Sequence, residues 1–274
     1  MARKQSKQSN PKNEIVRLLQ ANTGERRMLT VWQEWVEMVA LSLRNSCDLA
    51  GRDEREARYL ALAGRYSADQ MERFAQALAA LVRSFEEQGY ADVLGDTYGQ
   101  LELTNADHGQ FFTPYSVSRM MAQIALQDVA DGVAEKGYIT ISDPACGGGA
   151  MLIAAAEVLK DAGVNYQQQM HATGQDIDPT AVHMTYIQLS LLHVPAMVIQ
   201  GDTLRQTCVD VWYTPAHILG GWTWRLRERP ALGDVIGAIA ERLEQAGEAQ
   251  DGAMTLFDLS DYEARAAVEL EEPR

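Results

Sequence analysis

The sequence predicts an α/β protein: a parallel sheet with helices on its faces, preceded by a small helical domain. Three observations predict it. Apolar residues Leu29, Trp32, Trp35/Val36, Val39 and Leu43 follow the 3.6-residue repeat of an amphipathic helix. From residue 138 onward, short apolar strands alternate with helical stretches. A glycine-rich turn, Gly147-Gly148-Gly149, lies where the first of those strands gives way to a helix.

Taken in order, residues 1–26 read as a disordered basic tail, since residues 1–27 hold seven Lys/Arg against two acids. Residues 27–106 read as a helical domain and linker. Its helices cover 27–46, 54–63 and a stretch after Ser67, a good N-cap, which runs through Met71, Phe74, Ala75, Leu78 and Leu81 to Gly89. The Trp32/Trp35 pair reads as core rather than as a ligand platform. Residues 107–229 form the α/β domain, with strands at 138–142, 170–176, 197–201 and 208–213 and helices at 116–127, 149–161 and 179–193. Gly220–Arg229 reads as a further strand. Its alternation puts Trp222, Trp224 and Leu226 on one side and Arg225, Arg227 and Arg229 on the other, either to contact phosphates or to guard an edge. Residues 230–274 read as a helix over 232–247 and an acidic tail.

The formal net charge of −14 argues against a simple nucleic-acid binder. It is unevenly spread, because residues 230–274 alone carry eleven acids against three arginines. Cys47, Cys146 and Cys208 show no pairing or metal-ligand spacing, which predicts a reducing, cytoplasmic compartment and no metal. No run of about 18 apolar residues predicts a membrane span.

The chemistry-bearing residues gather at strand ends. Asp143 precedes the glycine turn, in D-P-A-C-G-G-G; a carboxylate there repels a pyrophosphate but welcomes an ammonium or sulfonium centre. Asp176, in G-Q-D-I-D-P, ends the next strand and is placed to accept both hydroxyls of a ribose. Asp202, in Q-G-D-T-L, ends the third and can accept from an adenine amino group, whereas Asp178 reads as a helix N-cap. Such an ordered set suits an adenosine-plus-amino-acid ligand. Upstream, Phe111 and Phe112 beside Thr113-Pro114 can close over the adenosine, or form a hinge between domains.

These residues resemble one family, the adenine-N6 DNA methyltransferases of type I restriction-modification systems, in their modification subunit. D92-V-L-G-D-T-Y-G-Q-L101 resembles the family's linker into the methylase domain, Gly109–Pro114 its first cofactor motif, and D143-P-A-C-G-G-G149 its glycine loop. G174-Q-D176 resembles its ribose acid, Q188-L-S-L-L-H193 the helix that follows, and G201-D-T-L204 the next motif. The resemblance covers roughly residues 90–213. It implies a Rossmann-like methyltransferase sheet and the cofactor S-adenosylmethionine, lined by Gln110, Phe111, Phe112, Thr113, Pro114, Asp143, Ala145, Gly147, Gly148, Gly149, Asp176, Ile177 and Asp202. It also implies double-stranded DNA and a specificity or partner subunit as partners.

The sequence departs from the family at the catalytic loop. The family's Asn-Pro-Pro-aromatic accepts the two N6 protons of a flipped adenine and stacks on the base. Here Val209–Tyr213 aligns with the preceding strand, and Thr214-Pro215-Ala216-His217 falls on the loop as the candidate catalytic group. A neutral hydroxyl and a single proline make weaker partners. Losing one placed acceptor typically lowers a rate about 10²–10³-fold. The expectation is a shortened methyltransferase domain whose catalysis is impaired or partner-dependent. The other class of reading, suggested by the net charge, is a non-catalytic regulatory or DNA-mimicking protein of a mobile element. Finally, A253-M-T-L-F257 resembles peptides that dock on bacterial sliding clamps through residues such as Met254, Leu256 and Phe257, without their leading Gln.

Overall fold

The computed structural model describes residues 10–103, 113–127, 133 and 137–227. The first five helices are α1 (Pro11–Gln20), α2 (Met28–Asn45), α3 (Arg52–Ala63), α4 (Ala68–Gln88) and α5 (Val93–Gln100). Helix α1 occupies residues 11–20 of the segment expected to be disordered. The Asn10 side chain accepts from Lys12 N, Pro11 occupies the first turn, and Ile15, Leu18 and Leu19 are buried. That i, i+3, i+4 stripe packs on α4, and burying it outweighs the surrounding charge.

The predicted helices recur as α2, α3 and α4, the last opened by a capping box between Ser67 and Gln70 and closed at Gly89. The two tryptophans are core. Trp32 meets Trp35 edge-on at 5.6 Å and Tyr98 of α5 at 5.5 Å, and Trp35 Nε1 donates to the Phe74 carbonyl at 3.2 Å.

The α/β portion follows as α6 (Tyr115–Ala125), β1 (Ile139–Asp143), α7 (Ala150–Asp161), α8 (Tyr166–Gln169), β2 (Met170–Asp176), α9 (Pro179–Leu191), β3 (Ala196–Gln200), β4 (Asp210–Tyr213), α10 (Pro215–Leu219) and α11 (Trp222–Arg227). The sheet order is β1-β2-β3-β4. Strands β1, β2 and β3 run parallel, with Asp143 opposite Gly174 and Asp176 opposite Gln200. Their carboxyl ends therefore lie along one edge.

Strand β4 corrects the all-parallel expectation. It pairs antiparallel to β3, Met197 opposite Tyr213 and Gln200 opposite Asp210. The connection over 201–209 is too short for a crossover, which takes about a dozen residues or more. It turns back instead, Thr207 N donating to the Asp202 carbonyl at 3.0 Å and Val209 N to that of Gln200 at 2.7 Å. Gly201 permits the turn, since a Cβ there would stand 1.9 Å from the Thr207 carbonyl oxygen.

The strand expected over 220–229 is also corrected: residues 222–227 are helix α11, entered through Gly220 and through Gly221 at φ +62°. On a helix, Arg225 and Arg227 project about 200° apart, so the expected arginine face does not form; Arg229 lies outside the described residues. Trp222 is fully buried and meets Tyr138 at 5.1 Å.

Residues 1–222 make one compact unit, with residues 223–274 assigned to a second. One continuous core joins Ile15, Trp32, Leu81 and Leu94 to Leu152, Ala172, Ile187 and Val198. Trp32→Ala should therefore lower stability by about 3–5 kcal/mol and leave a single cooperative transition. Urea denaturation followed by tryptophan fluorescence and by far-UV circular dichroism should give coincident curves. Among the described residues, no helix is long and apolar enough to cross a membrane.

Candidate functional site

The glycine loop leaves β1 and is pinned to the end of β2. Cys146 N donates to the Gln175 carbonyl at 2.9 Å, and Gly147 N donates to Asp176 Oδ2 at 2.9 Å. Gly147 and Gly149 adopt φ +54° and +91°, the left-handed region where side chains are costly. That conformation curls the loop back over the strand tips before α7 begins at Ala150.

Asp143 ends β1, half-buried, and its Oδ1 accepts from Ala145 N at 3.1 Å. Burial first, then repulsion from Asp176, raises its carboxyl above the ordinary value of 3.8. Asp176 ends β2 and holds two backbone amides, Gly147 N on Oδ2 and Asp178 N on Oδ1 at 3.0 Å. Its carboxyl is likewise raised, chiefly by burial, with those bonds opposing. Each oxygen of an ionised carboxylate accepts more than one hydrogen bond, so Asp176 retains acceptor capacity for a ligand.

Asp202 shares the edge but is committed to its own turn. Oδ1 accepts from Leu204 N at 3.0 Å and Arg205 N at 3.1 Å, and Arg205 Nε lies 3.6 Å from Oδ2. The next residue ties the edge together, Thr203 Oγ1 donating to the Pro144 carbonyl at 2.6 Å. Ala145 is exposed beside this link. Ile177 and Leu204, 65% and 95% exposed, stand on the same rim as large apolar groups facing water. Asp178 caps α9 as expected, accepting from Thr180 N.

Upstream, Thr113 and Pro114 are exposed ahead of α6, with Pro114 at its N-cap position. Tyr115 OH donates to Glu157 Oε2 at 2.8 Å, fastening α6 to α7. Gln110, Phe111 and Phe112 lie outside the described residues, as do Met254, Leu256 and Phe257.

Thr214–His217 are not brought to this edge. Because β4 runs backwards, they follow its end beside the start of β3, about 13 Å away by strand rise. Thr214 is fully buried. Its hydroxyl accepts from Ala196 N at 2.9 Å and donates to the Val194 carbonyl at 2.8 Å. It also accepts from His217 N as the cap of α10. Pro215 fills the first turn of that helix, and Ala216 is buried. His217 is 3% exposed, Nδ1 lying 2.8 Å from His171 Nε2. Burial pushes its pKa down to about 4, leaving a neutral ring packed against Tyr213 at 4.6 Å. These residues build the far edge of the sheet, beside the start of β3.

Thr185, Gln188 and Asp92, to which the motifs assign no pocket role, support the strand-tip edge. Thr185 and Gln188 of α9 hold the carbonyls of Gly147 and Gly148 at 2.8 and 2.7 Å, and Asp92 bonds Gln188 in turn at 2.8 Å.

Parallel strands ending in half-buried acids, with a glycine loop curled over them, make up this edge of the α/β fold. The model of the N-6 DNA methylase family matches residues 89–218, a little under half of the chain. Over 109 residues the chain is 30% identical to the type I restriction enzyme MjaIX methylase subunit of Methanocaldococcus jannaschii; the match takes in 38% of this chain and 18% of that relative. The chain thus spans less than a fifth of that protein. Among solved structures, it is similar to one described as a class I S-adenosylmethionine-dependent methyltransferase from Listeria monocytogenes. That likeness has 16% identity, covers 73% of this chain and 56% of that one, and has a TM-score of 0.41. It is also similar to the type I restriction-modification methyltransferase subunit from Streptococcus thermophilus, at 13% identity, 72% and 58% coverage and a TM-score of 0.36.

Proposed function

We propose that the edge formed by Asp143, the glycine loop and Asp176 binds S-adenosylmethionine, and that the chain serves adenine-N6 methylation of double-stranded DNA as a cofactor-binding subunit in the cytoplasm. The observation that carries this is the pair of half-buried carboxylates beside a loop of three glycines, both raised chiefly by burial, with repulsion from Asp176 adding to the rise at Asp143. A cation placed there relieves both penalties. The residues fit the cofactor: Asp176 has acceptor capacity for ribose hydroxyls, Asp143 faces positive charge, and Ile177 offers apolar surface to a base. When bound, S-adenosylmethionine supplies an electrophilic methyl group. The chain's own residues orient it, with Asp176 fixing the sugar and Asp143 stabilising the positive centre. Asp202 holds the β3 turn that borders the base, in addition to any contact it makes with the adenine amino group. Gln110–Pro114 complete the pocket in this reading.

The 274 residues contain no Asn-Pro-Pro sequence, and Thr214–His217 support the opposite sheet edge. In this reading, acceptors for the N6 protons come from a partner subunit. The net charge of −14 favours a second reading, a non-catalytic regulatory or DNA-mimicking protein that keeps the cofactor site as a sensor. Labelling of mixed-sequence DNA by radiolabelled cofactor, with and without a type I specificity subunit, separates the two. Transfer only with the partner supports the first; none in either condition, with cofactor still bound, supports the second.

The site's charges give the affinity a defined pH dependence. Both carboxyls have folded pKa values raised above 3.8. Their contribution to stability is full below that value and is lost as pH rises through the folded pKa values. A sulfonium prefers them ionised, so affinity should climb with pH across that window and level off above it. Protons should be released on binding within the window. Calorimetry at a series of pH values upward from 3.8, in buffers of different ionisation enthalpy, reads this directly. S-adenosylhomocysteine, which lacks the sulfonium charge, should show a shallower slope.

A further inference from the structure

We propose that Asp92 and Gln188 form a buried strut that holds the glycine loop in its binding shape, making both of them positioning residues for the cofactor site; this rests on the reading just given. Asp92 is 2% exposed and precedes α5 in the helical part of the unit. Its Oδ1 accepts from Gly95 N at 2.8 Å, capping α5, and from Gln188 Nε2 at 2.8 Å. The second Nε2 hydrogen of Gln188 goes to the Gly148 carbonyl at 2.7 Å, and its Oε1 accepts from Leu94 N at 3.1 Å. Only this orientation of the amide satisfies all three contacts, since reversing it would set an oxygen against a carboxylate and a carbonyl.

One turn earlier on α9, Thr185 Oγ1 donates to the Gly147 carbonyl at 2.8 Å. Two successive glycine carbonyls are thus held from one helix face, as the i, i+3 spacing allows. Fixing the Gly147 carbonyl fixes the peptide plane that it shares with the Gly148 N–H and turns that N–H to the opposite side. Two glycines from distant segments make room for the carboxylate. A Cβ on Gly95 would lie 2.1 Å from Asp92 Oδ2, and one on Gly148 would lie 2.9 Å from both carboxylate oxygens. A buried carboxylate is costly unless it is hydrogen-bonded. A cap alone needs no more than Ser, Thr or Asn. The acid's reach across to Gln188 is what ties α5 to the loop. A loop already held in its bound shape loses less freedom when a ligand arrives.

The test uses the full chain with Asp92→Ala, Gln188→Ala, the double variant and Asp92→Asn, beside Leu81→Ala as a stability control in the helical core. Asp92→Ala and Gln188→Ala should each raise the Kd for S-adenosylmethionine about 10–100-fold, the worth of a hydrogen bond to a charged or buried group. The double variant should lose no more than the worse single. Asp92→Asn keeps the shape and one acceptor oxygen, and should stay within about threefold of wild type; Leu81→Ala should leave Kd unchanged at a lower melting temperature. Hydrogen exchange of the protein without cofactor should quicken at 146–149 in both alanine variants and not in Asp92→Asn. Unchanged exchange at the loop, simply additive losses of affinity, or an Asp92→Asn variant as impaired as Asp92→Ala would overturn the strut. Wild-type protein that binds no cofactor while the exchange change is present would instead sink the cofactor reading alone.

Discussion

Asp176→Ala should raise the Kd for S-adenosylmethionine at least about 100-fold, since two hydroxyl-to-carboxylate hydrogen bonds are each worth about 1.5–3 kcal/mol. The fold should survive. The substitution removes a half-buried carboxyl whose ionisation is penalised by burial, which offsets part of the loss of its bonds to Gly147 N and Asp178 N. The net change in stability should stay within about 1–2 kcal/mol, the range of a lost hydrogen-bonding pair. Asp176→Asn should fall between wild type and alanine, because it keeps one acceptor oxygen and gives up the charge. Calorimetric titration and chemical denaturation of the same preparations check both halves. An alanine variant that binds as well as wild type would show that the ligand lies elsewhere.

Thr214→Val should do the reverse, unsettling the fold while leaving cofactor affinity unchanged. The substitution keeps the volume and removes a fully buried hydroxyl that serves Ala196 N, the Val194 carbonyl and His217 N at once. An unpaired buried group costs about 1–3 kcal/mol, and losing a helix cap adds about 1 kcal/mol. A fall of about 2–4 kcal/mol in urea denaturation is therefore expected, with Kd within twofold. Were 214–217 a catalytic loop beside the cofactor, the same change would alter binding or transfer and barely touch stability.

Most of the fold was legible because periodicity, caps and strand-ending acids are local signals. The capping box at Ser67 and Gln70 and the turn before α7 could be read from a few adjacent residues. Where a local pattern admitted two structures, tertiary contacts decided. Ile15, Leu18 and Leu19 spelled a helix, yet their charged neighbours suggested disorder until α4 supplied a partner for the stripe. Trp222 and Trp224 alternate like a strand but follow a double glycine and fold as α11. The direction of β4 follows from the length of 201–209, which is too short for a crossover. The family resemblance placed Thr214–His217 on a catalytic loop, and the antiparallel pairing sets them beside the start of β3. Asp143 and Asp176 stand on one edge, because parallel strands align their ends. The Asp92–Gln188 bond could not be read in advance, since its partners stand 96 residues apart and meet only when α5 packs beside α9.

Hydrogen exchange with and without S-adenosylmethionine tests most directly where the cofactor sits. Saturating cofactor should slow exchange at 143–149 and 174–178, with 213–217 unchanged. Protection concentrated at 213–217, or a well-folded protein with no protection anywhere, would contradict a binding edge at the tips of β1 and β2.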